Sequence, residues 1–80
     1  MNQIIKFEQP NCVPCKMVSN FLNDNNVEYK SYNVLEDFKE TEQFFIMSTP
    51  VTILLDDNGN EINRVVGYNP SQLQELIEQL

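Results

Sequence analysis

Gln3-Ile4-Ile5-Lys6-Phe7-Glu8, then Gln9-Pro10-Asn11-Cys12-Val13-Pro14-Cys15-Lys16-Met17-Val18, is the stretch that decides how this chain folds. Its first six residues are short, β-branched and aromatic, and Pro10-Asn11 stops them, so they predict a strand over Gln3–Glu8. From Val13 to about Asn25 the apolar residues Met17, Val18, Phe21 and Leu22 fall on one helical face, and Asn25-Asn26 closes the helix. The cysteines therefore stand where a strand ends and a helix begins. Free N–H groups and the positive end of a helix dipole stabilise a thiolate there. The thiolate is the attacking species in disulfide exchange. Cys12 is expected to be exposed and to titrate below the ~8.5 of a free thiol. Cys15, a turn later, is expected to be more buried and held as a thiol. The spacing lets Cys15 reach the Cys12 sulfur and close a ring after a mixed disulfide forms.

The tetrapeptide by itself leaves other uses open. A zinc site needs about four ligands, and two Cys with no His would require a second chain. Haem attachment wants His after the second cysteine, where Lys16 stands. A structural disulfide closing a loop of about four residues removes little chain entropy. Accidental spacing is the plainest alternative. A redox pair needs a strand before it and a helix after it, and the flanking pattern supplies both. The absence of His also excludes His-dependent triads and proton shuttles.

At 80 residues the chain has room for one domain, taken as residues 1–80, with a small core. An apolar share of 41%, with five Phe and three Tyr, is too high for a disordered chain. Five Lys/Arg against twelve Asp/Glu give a net charge of −7. That balance argues against nucleic acid and membrane surfaces as partners, since both need a positive footprint. No apolar run approaches the ~18 residues of a membrane span. Met1-Asn2-Gln3-Ile4-Ile5-Lys6 lacks the charged-then-apolar order of a signal peptide, so a cytoplasmic location is expected. A monomer is expected as well.

Val27–Val34 reads as a second strand and Glu36 to about Phe45 as a helix with Phe38, Thr41 and Phe45 on one side. Val51-Thr52-Ile53-Leu54-Leu55 is an apolar strand, and Asp56-Asp57-Asn58-Gly59-Asn60 carries an Asn-Gly turn signal. Glu61–Val66 completes a hairpin. Asn69-Pro70-Ser71-Gln72 opens a last helix, with Asn69 as N-cap and Pro70 at its first position. Its stripe is Leu73, Leu76, Ile77 and Leu80. The order β-α-β-α-β-β-α makes the first two strands parallel and the last two antiparallel. The expectation is an α/β fold, one four-stranded mixed sheet flanked by three helices.

With these elements in place the chain resembles the thioredoxin superfamily in a short, glutaredoxin-sized form. Cys12-Val13-Pro14-Cys15-Lys16 is close to thioredoxin's Cys-Gly-Pro-Cys-Lys. Ser48-Thr49-Pro50-Val51 matches the family's cis-proline, Asn58-Gly59 its hairpin turn, and Val66-Gly67-Tyr68 its glycine loop. The resemblance implies a dithiol–disulfide oxidoreductase acting on protein disulfides, in which Cys12 attacks and Cys15 resolves. It implies that Thr49-Pro50 packs beside the cysteines, that the Thr49 backbone pairs with a bound partner strand, and that Gly67 leaves room for it. Val13, Pro14, Thr49, Pro50, Gly67 and Tyr68 then form an uncharged substrate rim. No bound cofactor is implied beyond the reversible Cys12–Cys15 disulfide.

The departures bear on partners. Thioredoxins carry a buried Asp six residues before the first cysteine, and Lys6 stands there. The Trp beside the motif is replaced by Pro10-Asn11. These traits resemble glutaredoxin-like redoxins that feed ribonucleotide reductase. Yet Gly67-Tyr68-Asn69-Pro70-Ser71 lacks the Gly-Gly-Cys/Asp segment that holds glutathione. An acidic chain also repels a small anion. The expected electron source is NADPH through a thioredoxin-reductase-type flavoprotein. A non-enzymatic module that uses the pair as a redox sensor is the alternative from another class.

Overall fold

The computed structural model describes residues 1–80. The order is β1 (Gln3–Glu8), α1 (Val13–Asp24), β2 (Tyr29–Asn33), α2 (Phe38–Gln43), β3 (Val51–Leu55), β4 (Glu61–Val66) and α3 (Pro70–Ile77). The strands form one mixed sheet in the order β2-β1-β3-β4. β1 runs parallel to β2 and antiparallel to β3, and β3 and β4 make the antiparallel hairpin. The fold class expected from the sequence is the one observed.

Alternation along β1 and β3 divides the core between the two faces of the sheet. Ile4, Leu54 and Val65 pack with Val18 and Leu22 of α1 and Leu73 and Leu76 of α3. Ile5, Phe7, Val51, Ile53 and Leu55 pack on the opposite face with Tyr32, Val34, Phe44 and Ile46. All five residues of β3 are buried, as a strand covered on both sides requires. Each fully buried Leu or Ile contributes about 1.5–3 kcal/mol, so this small core rests on a few side chains.

The helix stripes hold at their centres and fail at their edges. In α1 the buried residues are Cys15, Val18 and Leu22, while Met17 lies partly in solvent. The helix ends where Asn25-Asn26 predicts. Asn26 takes a positive φ of 56°, and Val27 N–H donates to Leu22 C=O at 2.9 Å while Asn26 N–H donates to Asn23 C=O at 3.0 Å. That pair of bonds is the Schellman closure. It holds Val27 to the helix end, so β2 starts at Tyr29 rather than Val27. Asn69 caps α3 through Oδ1, which accepts from Gln72 N–H at 3.1 Å. Leu80 lies beyond the end of α3 and is exposed.

The segment around α2 departs most from the reading of its sequence. The helix spans Phe38–Gln43, shorter than Glu36–Phe45, and buries none of its residues. Asn33 is the reason for the late start. Its Oδ1 accepts from Leu35 N–H, its C=O accepts from Asp37 N–H, and its own N–H donates to Asp37 Oδ2. Asn and Asp side chains here offer the backbone a turn in place of a helix. At the far end Phe45 takes a positive φ of 54°. That reversal leaves Phe45 and Phe38 exposed and turns Phe44 and Ile46 to the core instead.

The hairpin turn is tied by one carboxylate. Asp56 Oδ1 accepts from the N–H groups of Asn58 and Asn60, both at 2.9 Å. The Asn60 amide is the main cause of a carboxyl held below its usual range, helped by the Asn58 and Gly59 amides. On β4, Arg64 pairs with Glu61 at 2.6 Å and donates from Nη2 to the Phe44 carbonyl at 2.9 Å, tying the edge strand to the loop after α2. This contact holds the Glu61 carboxyl down as well. A carboxyl depressed by folding stabilises the fold above its unfolded pKa, and that contribution vanishes as pH falls through the folded value. Asp56→Ala is therefore expected to lower the urea midpoint at neutral pH. The gap from the parent should close as pH falls below about 4, read by urea titrations across that range. A gap that persists in acid would contradict the assignment.

Candidate active site

Asn11, at a positive φ of 59°, turns the chain from β1 into α1 and places Cys12 at the N-cap. Its sulfur stands where a capping oxygen usually does, accepting from Cys15 N–H at 3.2 Å. Pro14 has no N–H, so the Cys15 amide is the donor that meets the sulfur. Cys12 and Cys15 are joined by a disulfide, with Cα atoms 5.2 Å apart.

Both cysteines are buried, Cys12 at 8% and Cys15 at 3% exposure. The expectation of an exposed Cys12 is corrected in this oxidised form. Ring closure and the capping bond draw the sulfur over the helix end, and Thr49 Oγ1 lies 3.9 Å from it. Val13 and Pro14 are the exposed members of the motif.

Two distant loops complete the rim. The Thr49–Pro50 peptide is cis and Pro50 is buried. The Pro50 carbonyl accepts from Gly67 N–H at 2.8 Å, which joins the loop before β3 to the loop after β4. Gly67 has a φ of 77°. A Cβ there would meet nothing within 4 Å, so the backbone conformation, and not crowding within the chain, calls for glycine. Tyr68 is half-buried with its ring against the α1–α3 core, so it supports this loop from below.

A groove of about 420 Å³ opens beside the disulfide, with Lys6, Glu8, Cys12, Cys15, Lys16 and Ser19 among its walls. Lys6 is 1% exposed, and its Nζ donates to Glu8 Oε1 at 2.5 Å and to Ser19 Oγ. A second groove of about 430 Å³ runs past Thr49 on the other side, walled by Ile46, Met47 and Ser48. Neither Glu8, Ser19 nor Met47 stood out in the sequence. The available signals were a lysine on the inward face of an apolar strand and Ile46-Met47 directly ahead of Ser48-Thr49-Pro50. No group of three His, Cys, Asp or Glu side chains is placed to hold a metal.

A family model for the thioredoxin-like domain matches residues 2–80. The chain belongs to that family. A thioredoxin-like protein of the SPbeta prophage in Bacillus subtilis, YosR, is 47% identical over 98% of both chains. A glutaredoxin-like 8.6 kDa protein from the rubredoxin operon of Clostridium pasteurianum is 30% identical over 90% of this chain and 93% of its own. Among solved structures, a thioredoxin of Malassezia sympodialis superposes with a TM-score of 0.85 at 28% identity, covering 98% of this chain and 73% of that one. Oxidised mitochondrial thioredoxin 3 of Saccharomyces cerevisiae gives 0.85 at 26% identity, covering 99% and 78%.

The paired sulfurs at the start of α1 equip this thioredoxin-like chain for thiol–disulfide redox chemistry. Its cysteines should differ in reactivity after reduction. Cys12 meets an amide donor at the helix N-terminus, and Cys15 lies deeper. Iodoacetamide is expected to alkylate Cys12 several-fold faster than Cys15, followed by mass spectrometry of the peptides. Equal rates, or faster labelling of Cys15, would reverse the two roles.

Proposed function

We propose that this thioredoxin-like chain reduces protein disulfides, with Cys12 as nucleophile and Cys15 as resolving thiol. One observation carries the reading. Cys12 Sγ lies beside Thr49, whose main-chain N–H and C=O make no hydrogen bond within the chain. An extended segment of a partner can pair with that backbone and bring its own disulfide to the Cys12 sulfur. Val13 and Pro14 on one side and Gly67 on the other form the uncharged edges of the site, and Pro50 holds Thr49 against the sulfur.

The chemistry balances in two exchanges. The Cys12 thiolate attacks one sulfur of the substrate disulfide, and the other leaves as a thiol once protonated. Cys15 then attacks Cys12 Sγ, releases the second substrate thiol and leaves the Cys12–Cys15 disulfide. Two electrons from NADPH, delivered through a thioredoxin-reductase-type flavoprotein, restore the dithiol. This cycle suits the cytoplasm, where thiols are kept reduced.

A second reading is a glutaredoxin-like redoxin, which the name of the Clostridium pasteurianum relative favours; the sequence resemblance alone adds ribonucleotide reductase as its acceptor. Against reduction by glutathione stands the net charge of −7, which disfavours the approach of a small anion. NADPH consumption with insulin as acceptor separates these readings. Turnover is expected with the flavoprotein reductase, weak turnover with glutathione and glutathione reductase, and complete loss in Cys12→Ser. A faster glutathione system would assign the chain to the second reading. No turnover in either, or with dithiothreitol, would leave it a redox-sensing module.

A further inference from the structure

We propose that the buried Lys6 ammonium is a positioning residue for the second exchange, holding the Cys15 sulfur in reach of its thiolate form. This rests on the dithiol reading above and assigns a role that the motif itself does not contain. Lys6 lies in the middle of β1 and is almost wholly buried, yet it is not enclosed by a full set of acceptors. Its ammonium has three N–H donors, and Glu8 and Ser19 take two of them. The Tyr29 ring lies 5.6 Å away on the β2 side.

Where this charge points is settled by Ser19. Cys15 precedes Ser19 by four residues in α1, so the two share a helix face with Cβ atoms about 5–6 Å apart. A lysine that reaches Ser19 on that face, and Glu8 at the cysteine end of β1, lies along the side of α1 that carries Cys15. Lys6 and Cys15 accordingly wall the same groove. The charged and titratable groups around it are Lys6 and Glu8 from β1, Lys16 from α1 and Tyr29 from β2. On β3 the residue paired with Lys6 is Thr52, which is uncharged and fully buried. Its hydroxyl has no partner in the chain, so nothing on that side offsets the ammonium.

An opposite charge nearby favours the ionised form of a thiol. When the mixed disulfide stands on Cys12, Cys15 must lose a proton to water before its sulfur attacks Cys12 Sγ. The Cys12–substrate bond breaks, and the leaving thiolate is protonated in turn. Lys6 gives up no proton in this step. It lowers the cost of the Cys15 thiolate while Glu8 moderates the charge.

The full chain, reduced and mixed with 5,5′-dithiobis(2-nitrobenzoate), reads this step directly. Attack by Cys12 releases one thionitrobenzoate, and attack by Cys15 on the mixed disulfide releases the second. Lys6→Met is expected to move the pH midpoint of the second phase upward by about one unit. Glu8→Gln, at a half-exposed position, is expected to move it downward, and Lys6→Arg to restore it toward the parent. Loosened packing would not shift two variants in opposite directions. An unmoved midpoint in Lys6→Met, or shifts of the same sign, would overturn the proposal. Should Lys6→Met fail to fold, an unmoved midpoint in Glu8→Gln alone would overturn it. A missing second phase in the parent would remove the dithiol reading as well, whereas a present but unshifted phase removes only the role of Lys6.

Discussion

The register of β1 against β3 is the constraint on which the site depends. Phe7 pairs with Val51 in an antiparallel ladder at the centre of the sheet. The end of one strand therefore lies beside the start of the other. The chain leaving β1 carries Cys12 and the chain entering β3 carries Thr49 and Pro50, so two segments 37 residues apart meet at 3.9 Å. A one-residue slip would turn Phe7 and Val51 to the wrong face and break both cores at once. Burial of β3 on both sides is thus what keeps the sulfur and the Thr49 backbone together. The next pairing extends the device. Val51 opposite Val66 in β4 brings Gly67 to the Pro50 carbonyl.

Charge is distributed unevenly about this frame. The chain has a net charge of −7, yet two of its five cations, Lys6 and Lys16, wall the groove at the disulfide. Glu8 is the one acid among them. The remaining acids lie elsewhere, and two of them, Asp37 and Asp56, accept backbone N–H bonds in turns. A net charge of −7 repels polyanions at long range, while two cations against one acid leave the groove at the disulfide locally positive. Burying Lys6 carries a desolvation cost, against which the Glu8 and Ser19 contacts act.

The strands and helices were legible wherever one periodic face met the core. β1 and β3 follow from short apolar, β-branched runs bounded by turn residues, β4 from the Asn58-Gly59 turn ahead of it, and the starts of α1 and α3 from the 3.6-residue stripe and the Asn and Pro signals at the helix starts. The neighbourhood of α2 was not legible in the same way. Phe38 and Phe45 have helical spacing, but the Asn33–Asp37 turn and the left-handed Phe45 are set by local hydrogen bonding and by which aromatic the second core accepts. Met17 and Leu80 fit their stripes and still reach solvent, because a stripe does not show where the sheet beneath it ends.

By itself the sequence determined the two sulfurs, their place at a helix start and the α/β order, because these rest on neighbours within a few residues. The meeting of Cys12 with Thr49 and the tie between Pro50 and Gly67 were decided by tertiary structure. So was the gathering of Lys6, Glu8 and Ser19 with Cys15 along one groove. Each of these depends on strand register and helix docking, which bring together groups far apart in the chain, and no local pattern encodes their distance.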